Sequence, residues 1–274
     1  MRLRWVLVFA LIASAVLVTT VLRDRTPVRS EYCSIKVGKL ESQIDLEQAQ
    51  WAALMAAIGI RRGLPPRATT IAIATAFQES KIHNIDYGDR DSVGLFQQRP
   101  SQGWGRADQI LDPHYSIGKF YDALVKIKGY DSMEITVAAQ RVQRSAYAGA
   151  YAQHEDYARA IASALTGYSP AGFTCQVSEH GKGSIAAVDK DVQSAFGRIE
   201  STHGKDRISY PQHGTKANRN ARGWALAHYL VANAAHLKIS GITFDGRSWD
   251  LEDSPKGWTK ASGVSSSTVK VMTN

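Results

Sequence analysis

Apolar residues recur with helical spacing through the first half of the chain. Residues 46–63 have this pattern, and Gly63, followed by Leu-Pro-Pro, marks the end of the helix. The next run, residues 68–77, is almost entirely apolar, so periodicity does not separate a buried helix from a strand there. Its alanines and its position between helical segments favour a buried helix that ends near Glu79.

Three more helices are predicted downstream. Asp112 has the form of an N-cap, because a proline follows it at the first helical position. The other two helices cover residues 134–146 and 151–165. Residues 46–167 are therefore predicted to be entirely helical, within an all-α domain that covers residues 26–167.

The pattern changes after residue 167. Glycines and prolines make residues 168–190 a predicted linker, and residues 222–238 beyond it have the pattern of an amphipathic helix. Short strands are predicted around an Asp-Gly turn and at the C-terminus: residues 239–244, 247–251 and 269–272. Residues 191–274 are therefore predicted to form a smaller α+β domain, and the fold class of the chain is α+β.

An uncharged apolar run lies at the N-terminus. Residues 5–22 follow Arg2 and Arg4, and a helix of this length spans about 27 Å, close to the hydrocarbon thickness of a bilayer. Residues 1–25 are therefore predicted to be a signal anchor, with the rest of the chain outside the cytoplasmic membrane. The alternative is a signal peptide cleaved at residues 13–15, which makes the protein secreted. Both interpretations predict an extracytoplasmic protein.

Composition and charge narrow the class of partner. The 274 residues are 44% hydrophobic and 21% charged, which is typical of a globular protein. The net charge of +8 favours anionic partners, but no basic stripe interleaved with aromatic residues indicates nucleic acid. The alternative is a solvated basic surface without a partner.

The chain has two cysteines, Cys33 and Cys175. An exported protein with an even number of cysteines is expected to pair them, so a disulfide is predicted. The alternative is two buried free thiols.

Glu79 is the candidate for chemistry. Apolar surroundings at the end of a buried helix raise the pKa of a carboxyl group, so that it stays protonated near neutral pH. Such a group beside a cleft is a candidate general acid that protonates a glycosidic leaving oxygen. The alternative is an exposed glutamate at a helix end with no special role.

The residues around Glu79 resemble a known family. The segments ATAFQES, DYGDRDSVGLFQQRPSQGWG, ILDPHY and AAQRVQRSAYAGAY are very similar to segments of exported Gram-positive proteins with a lysozyme-like domain. Glu-Ser followed after a loop by Gly-Leu-Phe-Gln also resembles the lytic transglycosylase pattern, with Phe96 in place of the usual methionine. The resemblance implies a lysozyme-like fold and cleavage of the β-1,4 bond between the sugars of peptidoglycan.

The resemblance also implies roles for single residues. Glu79 is the implied catalytic acid, and three side chains of the following loop are implied to line the substrate groove: Ser92, Gln97 and Gln98. Trp104, between two glycines in a polar loop, is predicted to be exposed and to bind sugar. The segment AAQRVQRSA lacks the Tyr-Asn pair of the family, and the proposed substitutes, each with a structural role as its alternative, are Gln140, Gln143 and Tyr147.

Three aspartates of the same loop have two competing roles. Asp86, Asp89 or Asp91 supplies the second carboxylate of a hydrolase, which lies about 5–9.5 Å from the acid in two-carboxylate enzymes. Alternatively they shape the loop through turn hydrogen bonds and an ion pair, which is the role that we favour. A single acid is enough in the resembled family, because the sugar's own hydroxyl attacks and forms an anhydro ring.

The C-terminal region is distantly similar to zinc peptidases of the D-Ala-D-Ala carboxypeptidase type, over GWALAHYLVANAAHLKISGITFDGRSWD and the Gly-Trp after it. The zinc ligands of those enzymes are not retained. Asn218 or Asn220 stands where an acid is required after His213, and residues 268–271 contain no histidine. We therefore predict a metal-free domain for wall binding or spacing.

The sequence thus predicts a lytic transglycosylase, or a muramidase-type hydrolase, that acts on peptidoglycan glycan strands without a cofactor. The alternative is a non-catalytic cell-wall-binding or assembly protein that keeps the lysozyme-like fold. The N-terminal helix makes the membrane a partner, nucleic acid is not expected, and secretion or conjugation machinery is a candidate partner.

Overall fold

The computed structural model describes residues 30–144, 149–178 and 181–274. The predicted signal anchor and its alternative cleavage site lie outside these residues. Within the described part of the chain, no helix is long and apolar enough to cross a membrane.

Helices fill the first half of the described chain. In chain order they are α1 (Leu46–Arg61), α2 (Pro66–Ser80), α3 (Ala107–Ile110), α4 (Pro113–Leu124), α5 (Ile135–Gln143) and α6 (Glu155–Leu165). Asp45 and Asp112 cap α1 and α4, since each accepts a hydrogen bond from a backbone N–H of the first turn. The apolar run that periodicity left open is the helix α2. It is buried along most of its length and packs against α1, α4, α5 and α6, so it forms the centre of the helical core.

A small antiparallel sheet frames these helices. β1 (Tyr32–Val37) lies between β2 (Leu40–Ile44) and β3 (Phe173–Gln176). Residues 26–167 are therefore not entirely helical, which corrects the prediction of an all-α domain over that range. Cys33 lies opposite Cys175 in the pairing of β1 with β3, and the two form a disulfide, which confirms the predicted pairing.

The C-terminal half contains a six-stranded antiparallel sheet. Its order is β4 (Thr202–His203), β5 (Arg207–Pro211), β9 (Thr268–Thr273), β6 (Ile239–Phe244), β7 (Arg247–Asp250) and β8 (Thr259–Lys260). The helices of this half are α7 (Ile185–Phe196), α8 (Lys216–Ala232) and α9 (Ala234–Leu237). The hairpin β6–β7 and the last strand lie where the alternating pattern predicts them, and the fold class is α+β.

The segment predicted as a linker joins the two halves. Residues 168–190 contain β3, whose carbonyls accept hydrogen bonds from C-terminal tryptophans. Trp258 Nε1 donates to the Phe173 carbonyl at 2.8 Å, and Trp249 Nε1 donates to the Cys175 carbonyl at 3.1 Å. α8 also packs on α1 and α6, so the two halves share one core and form one compact unit. The boundaries of the two domains stay a prediction.

Candidate functional site

Glu79 lies in the last turn of α2, one residue before the helix ends. The helix stops because Lys81 and Ile82 both have positive φ, at 57° and 58°. Ser80 then ties the helix end to the loop, since its Oγ donates to the Leu95 carbonyl at 2.8 Å. The Gly-Leu-Phe-Gln segment is thereby held beside the turn that carries the acid.

The Glu79 carboxyl is half-buried and hydrogen-bonded. Tyr151, whose side chain is buried, donates its O–H to Glu79 Oε1 at 2.8 Å. Burial raises the pKa of the Glu79 carboxyl, and hydrogen bonds from the Tyr151 and Gln143 side chains oppose part of that rise. This carboxyl therefore keeps its proton to a higher pH than an exposed glutamate does, as a general acid requires.

Two distant segments supply the partners of the acid. Gln143 is the last residue of α5, and its Nε2 donates to the Phe96 carbonyl at 2.6 Å. Tyr151 precedes the 3₁₀ turn Ala152–His154 that leads into α6. α5 and α6 both pack on α2, and this packing brings Tyr151 to Glu79 across 72 residues. Tyr151 is the last residue of the segment AAQRVQRSAYAGAY, but the resemblance assigned it no role.

Two of the loop side chains predicted to line a groove are buried. Gln98 is 1% exposed, and its Nε2 donates to the Ser116 carbonyl at 3.3 Å. Ser92 is 7% exposed. Side chains with so little exposed surface offer little to a sugar, so burial argues against the predicted substrate contacts of both. Gln97 is half-buried, and its Nε2 donates to the Tyr87 carbonyl at 3.2 Å, so it too serves the loop.

Two glycines allow the loop to follow this path. Gly94 has a φ of +79°, and a Cβ there would lie 3.0 Å from the Ile110 carbonyl oxygen. A Cβ at Gly88 would lie 1.9 Å from Gln97 Oε1. Either position would accept a side chain only if the loop moved.

The three candidate aspartates do not share one environment. Asp91 Oδ1 accepts hydrogen bonds from Arg99 Nε at 2.7 Å and Ser101 Oγ at 2.9 Å, and its Oδ2 accepts one from the Ser101 N–H at 2.7 Å. These bonds hold the pKa of the Asp91 carboxyl well below its usual range. Asp86 and Asp89 are exposed. Because both oxygens of Asp91 are engaged within the loop, the structural role has the better support for this residue, and the roles of Asp86 and Asp89 stay predictions.

The predicted aromatic contacts differ in outcome. Trp104 is half-buried rather than exposed, because part of its ring packs against the core. The rest of the indole lines a groove together with Lys119 and Arg144. Tyr147 lies outside the described residues. Gln140 lies on α5 and is half-buried.

Histidines of the C-terminal half pair with single carboxylates. His203 Nε2 lies 2.9 Å from Asp189 Oδ2, and His213 Nε2 lies 2.8 Å from Glu200 Oε2. In the part of the chain that the structure describes, no group of three His, Cys, Asp or Glu side chains could hold a metal ion.

Comparison with known proteins bears on the second half of the chain. A family model described as VldE, C-terminal domain, matches residues 138–272. The match begins in α5 and ends in β9, so it includes Gln143 and Tyr151 but not Glu79. It also crosses the predicted linker, in agreement with the shared core of the two halves. The chain has no significant match among curated proteins.

Proposed function

We propose that the chain is a peptidoglycan-cleaving enzyme, a lytic transglycosylase with Glu79 as its acid. The observation that carries the proposal is the half-buried Glu79 carboxyl, with its raised pKa and its hydrogen bond from Tyr151. The motifs around it, which resemble those of exported lysozyme-like proteins, indicate the substrate class.

The proposed reaction begins with Glu79 protonated. Its proton passes to the glycosidic oxygen as the bond from that oxygen to the sugar's anomeric carbon breaks, so that the leaving sugar departs as an alcohol. In the resembled family, a hydroxyl of the remaining sugar then attacks the anomeric carbon and forms the anhydro ring. The Glu79 carboxylate accepts the proton of that hydroxyl and is restored to the acid form.

Tyr151 has a supporting role in this scheme. Between the two steps Glu79 is ionised, and a hydrogen bond from a hydroxyl group to a carboxylate is a strong one. The Tyr151 O–H, 2.8 Å from Glu79 Oε1, stabilises this ionised form and fixes its orientation. Tyr151 is thus a positioning residue of the proposed site.

The environment of Asp91 argues against this residue as the second carboxylate of a hydrolase, while Asp86 and Asp89 stay candidates. A hydrolase requires a second carboxylate that is free to act as nucleophile or base. Both oxygens of Asp91 accept hydrogen bonds from Arg99 and Ser101. The transglycosylase reaction requires no second carboxylate.

Digestion of purified peptidoglycan tests the proposal. The full chain, its Glu79→Gln variant and the matched control Glu134→Gln, which removes an exposed carboxylate of the same half, would each be incubated with the polymer. Mass spectrometry of the released fragments is expected to show anhydro-muropeptides from wild type and from the control. The Glu79→Gln variant should be slower by about 10²–10⁴, the usual contribution of a general acid.

Other outcomes assign a different function. Fragments with reducing ends would identify a hydrolase and require one of the aspartates to act. If no variant releases fragments and all of them sediment with the polymer, the enzyme proposal fails and the wall-binding alternative replaces it.

A further inference from the structure

A basic groove lies next to the candidate site. It has a volume of about 430 Å³, and the cations that line it are Lys119, Lys126, Arg141 and Arg144. All four are exposed. The acid in its lining, Asp122, is already paired with Arg62 at 2.7 Å, so it does not neutralise the groove.

The helices α4 and α5, with the residues that follow them, bring four like charges together in this groove. Arg141 lies in the last turn of α5 and Arg144 directly follows that helix, while Lys119 lies on α4 and Lys126 two residues beyond its end, and all four line the same groove. In the described part of the chain, no carboxylate pairs with any of the four. A concave surface lined by one sign of charge concentrates its field, and a bound anion relieves the mutual repulsion.

Trp104 forms the apolar wall of the groove. The Tyr115 hydroxyl donates to the Trp104 carbonyl at 3.2 Å. Gly105, with a φ of +130°, brings the backbone so close to Tyr115 that a Cβ there would lie 2.4 Å from the phenolic oxygen. These contacts hold the backbone at Trp104, and the indole packs partly against the core. A flat apolar face beside hydrogen-bond donors suits a sugar ring.

The groove and the acid share the end of α5. Gln143 lies between Arg141 and Arg144 in sequence, and its side chain bonds to the Phe96 carbonyl and to Glu79. A polymer that reaches Glu79 along this helix end therefore passes the cations.

We propose that this groove binds the negatively charged substituents, carboxylates or phosphodiesters, of the glycan strand that Glu79 cleaves. The identity of the strand rests on the function proposed above. The preference for anions rests on the groove alone.

A binding measurement that needs no cleavage tests this inference. Three insoluble probes would be used: intact cell wall, wall stripped of phosphodiester polymers, and stripped wall whose carboxylates have been amidated. The groove variant is Lys119→Gln, Lys126→Gln and Arg144→Gln in the full chain. The control variant removes three exposed lysines of the C-terminal half, none of which lines the groove: Lys205→Gln, Lys216→Gln and Lys260→Gln.

The groove variant is expected to bind intact wall about tenfold more weakly than the control variant does, since each exposed charge contributes modestly. Wild type should bind the amidated wall as weakly as the groove variant binds intact wall. Added salt should weaken the binding of wild type to intact wall more than that of the groove variant. If the groove and control variants still differ in binding to stripped wall, the ligands are carboxylates. If they differ only on intact wall, the ligands are phosphodiesters. A charge-conserving variant, Lys119→Arg with Lys126→Arg, should bind like wild type.

Equal binding of the groove and control variants to intact wall would overturn the inference. Tight binding of wild type to the amidated wall would overturn it as well. Neither result would bear on the proposed cleavage by Glu79, because the assay measures binding alone. Conversely, failure of fragment release with a retained difference between the variants would refute the proposed enzyme and leave the anion site standing.

Discussion

Acid should loosen the contact between the two halves of the protein through His228. This residue of α8 is buried, and its Nδ1 donates to the Ala164 carbonyl of α6 at 2.8 Å. Its ring lies among Trp224, Trp258 and Phe173, and its Nε2 has no hydrogen-bond partner among the described residues. Protonation of Nε2 would therefore place a charge in an apolar cage.

The size of the effect follows from the pKa. Burial lowers the pKa of His228 to about 4, against about 6.5 in the unfolded chain. Because the unfolded state binds the proton more tightly, stability is intact above pH 6.5 and is lost as the pH falls through that value towards 4. Between pH 7.5 and pH 5 this residue alone is expected to lower the free energy of unfolding by about 2 kcal/mol.

Urea unfolding of the full chain at pH 7.5 and pH 5 measures this loss. The matched variant is His228→Asn, which keeps an N–H donor near the Ala164 carbonyl but cannot titrate. His114 and His154 also have lowered pKa values because of burial, and they titrate equally in both proteins. The loss of stability with acid should be smaller in the variant by about 2 kcal/mol. An equal loss in both proteins would refute the argument.

Three further expectations concern the site and the core. Tyr151→Phe removes a hydrogen bond that lowers the pKa of Glu79, so the alkaline limb of fragment release should move to higher pH in a pH–rate profile. Gly223→Ala should lower the free energy of unfolding by about 1–3 kcal/mol in urea unfolding, because its Cβ would lie 2.0 Å from Phe244 Cζ. The control variant Gly118→Ala should not lower it, because the space around Gly118 is open. Replacing both cysteines with alanine should cost about 5 kcal/mol in the same assay, because the bridge closes a separation of 142 residues.

Each of these has a contrary outcome. If the alkaline limb of the pH–rate profile stays in place or moves to lower pH in Tyr151→Phe, Tyr151 is not a positioning residue of Glu79. Equal stability of the two alanine variants would show that α8 and β6 separate easily at Gly223. Unchanged unfolding of the cysteine-free chain would mean that the disulfide restrains the unfolded chain little.

Local signals were sufficient for most helices and for the C-terminal hairpin. An N-cap such as Asp112 acts within the first turn that it opens, and apolar spacing over a dozen residues reports one buried face. The position of Glu79 near the end of α2 and the turn at Asp245 follow from the same short-range rules. β1 was missed because its alternation covers only six residues and because its partner β3 lies in a glycine-rich segment.

Burial and pairing at the site depended on packing between distant elements. Gln98 and Ser92 have polar side chains in a polar loop, yet α4 and the loop enclose them, and no periodicity of the loop signals this. Tyr151 meets Glu79 only because α6 packs on α2, and the four cations of the groove meet only because α5 lies beside α4. Secondary structure is set by contacts a few residues apart, which a sequence displays directly. The pKa of a carboxyl and the charge of a groove are set by whatever surrounds them, and those neighbours come together only when the chain folds.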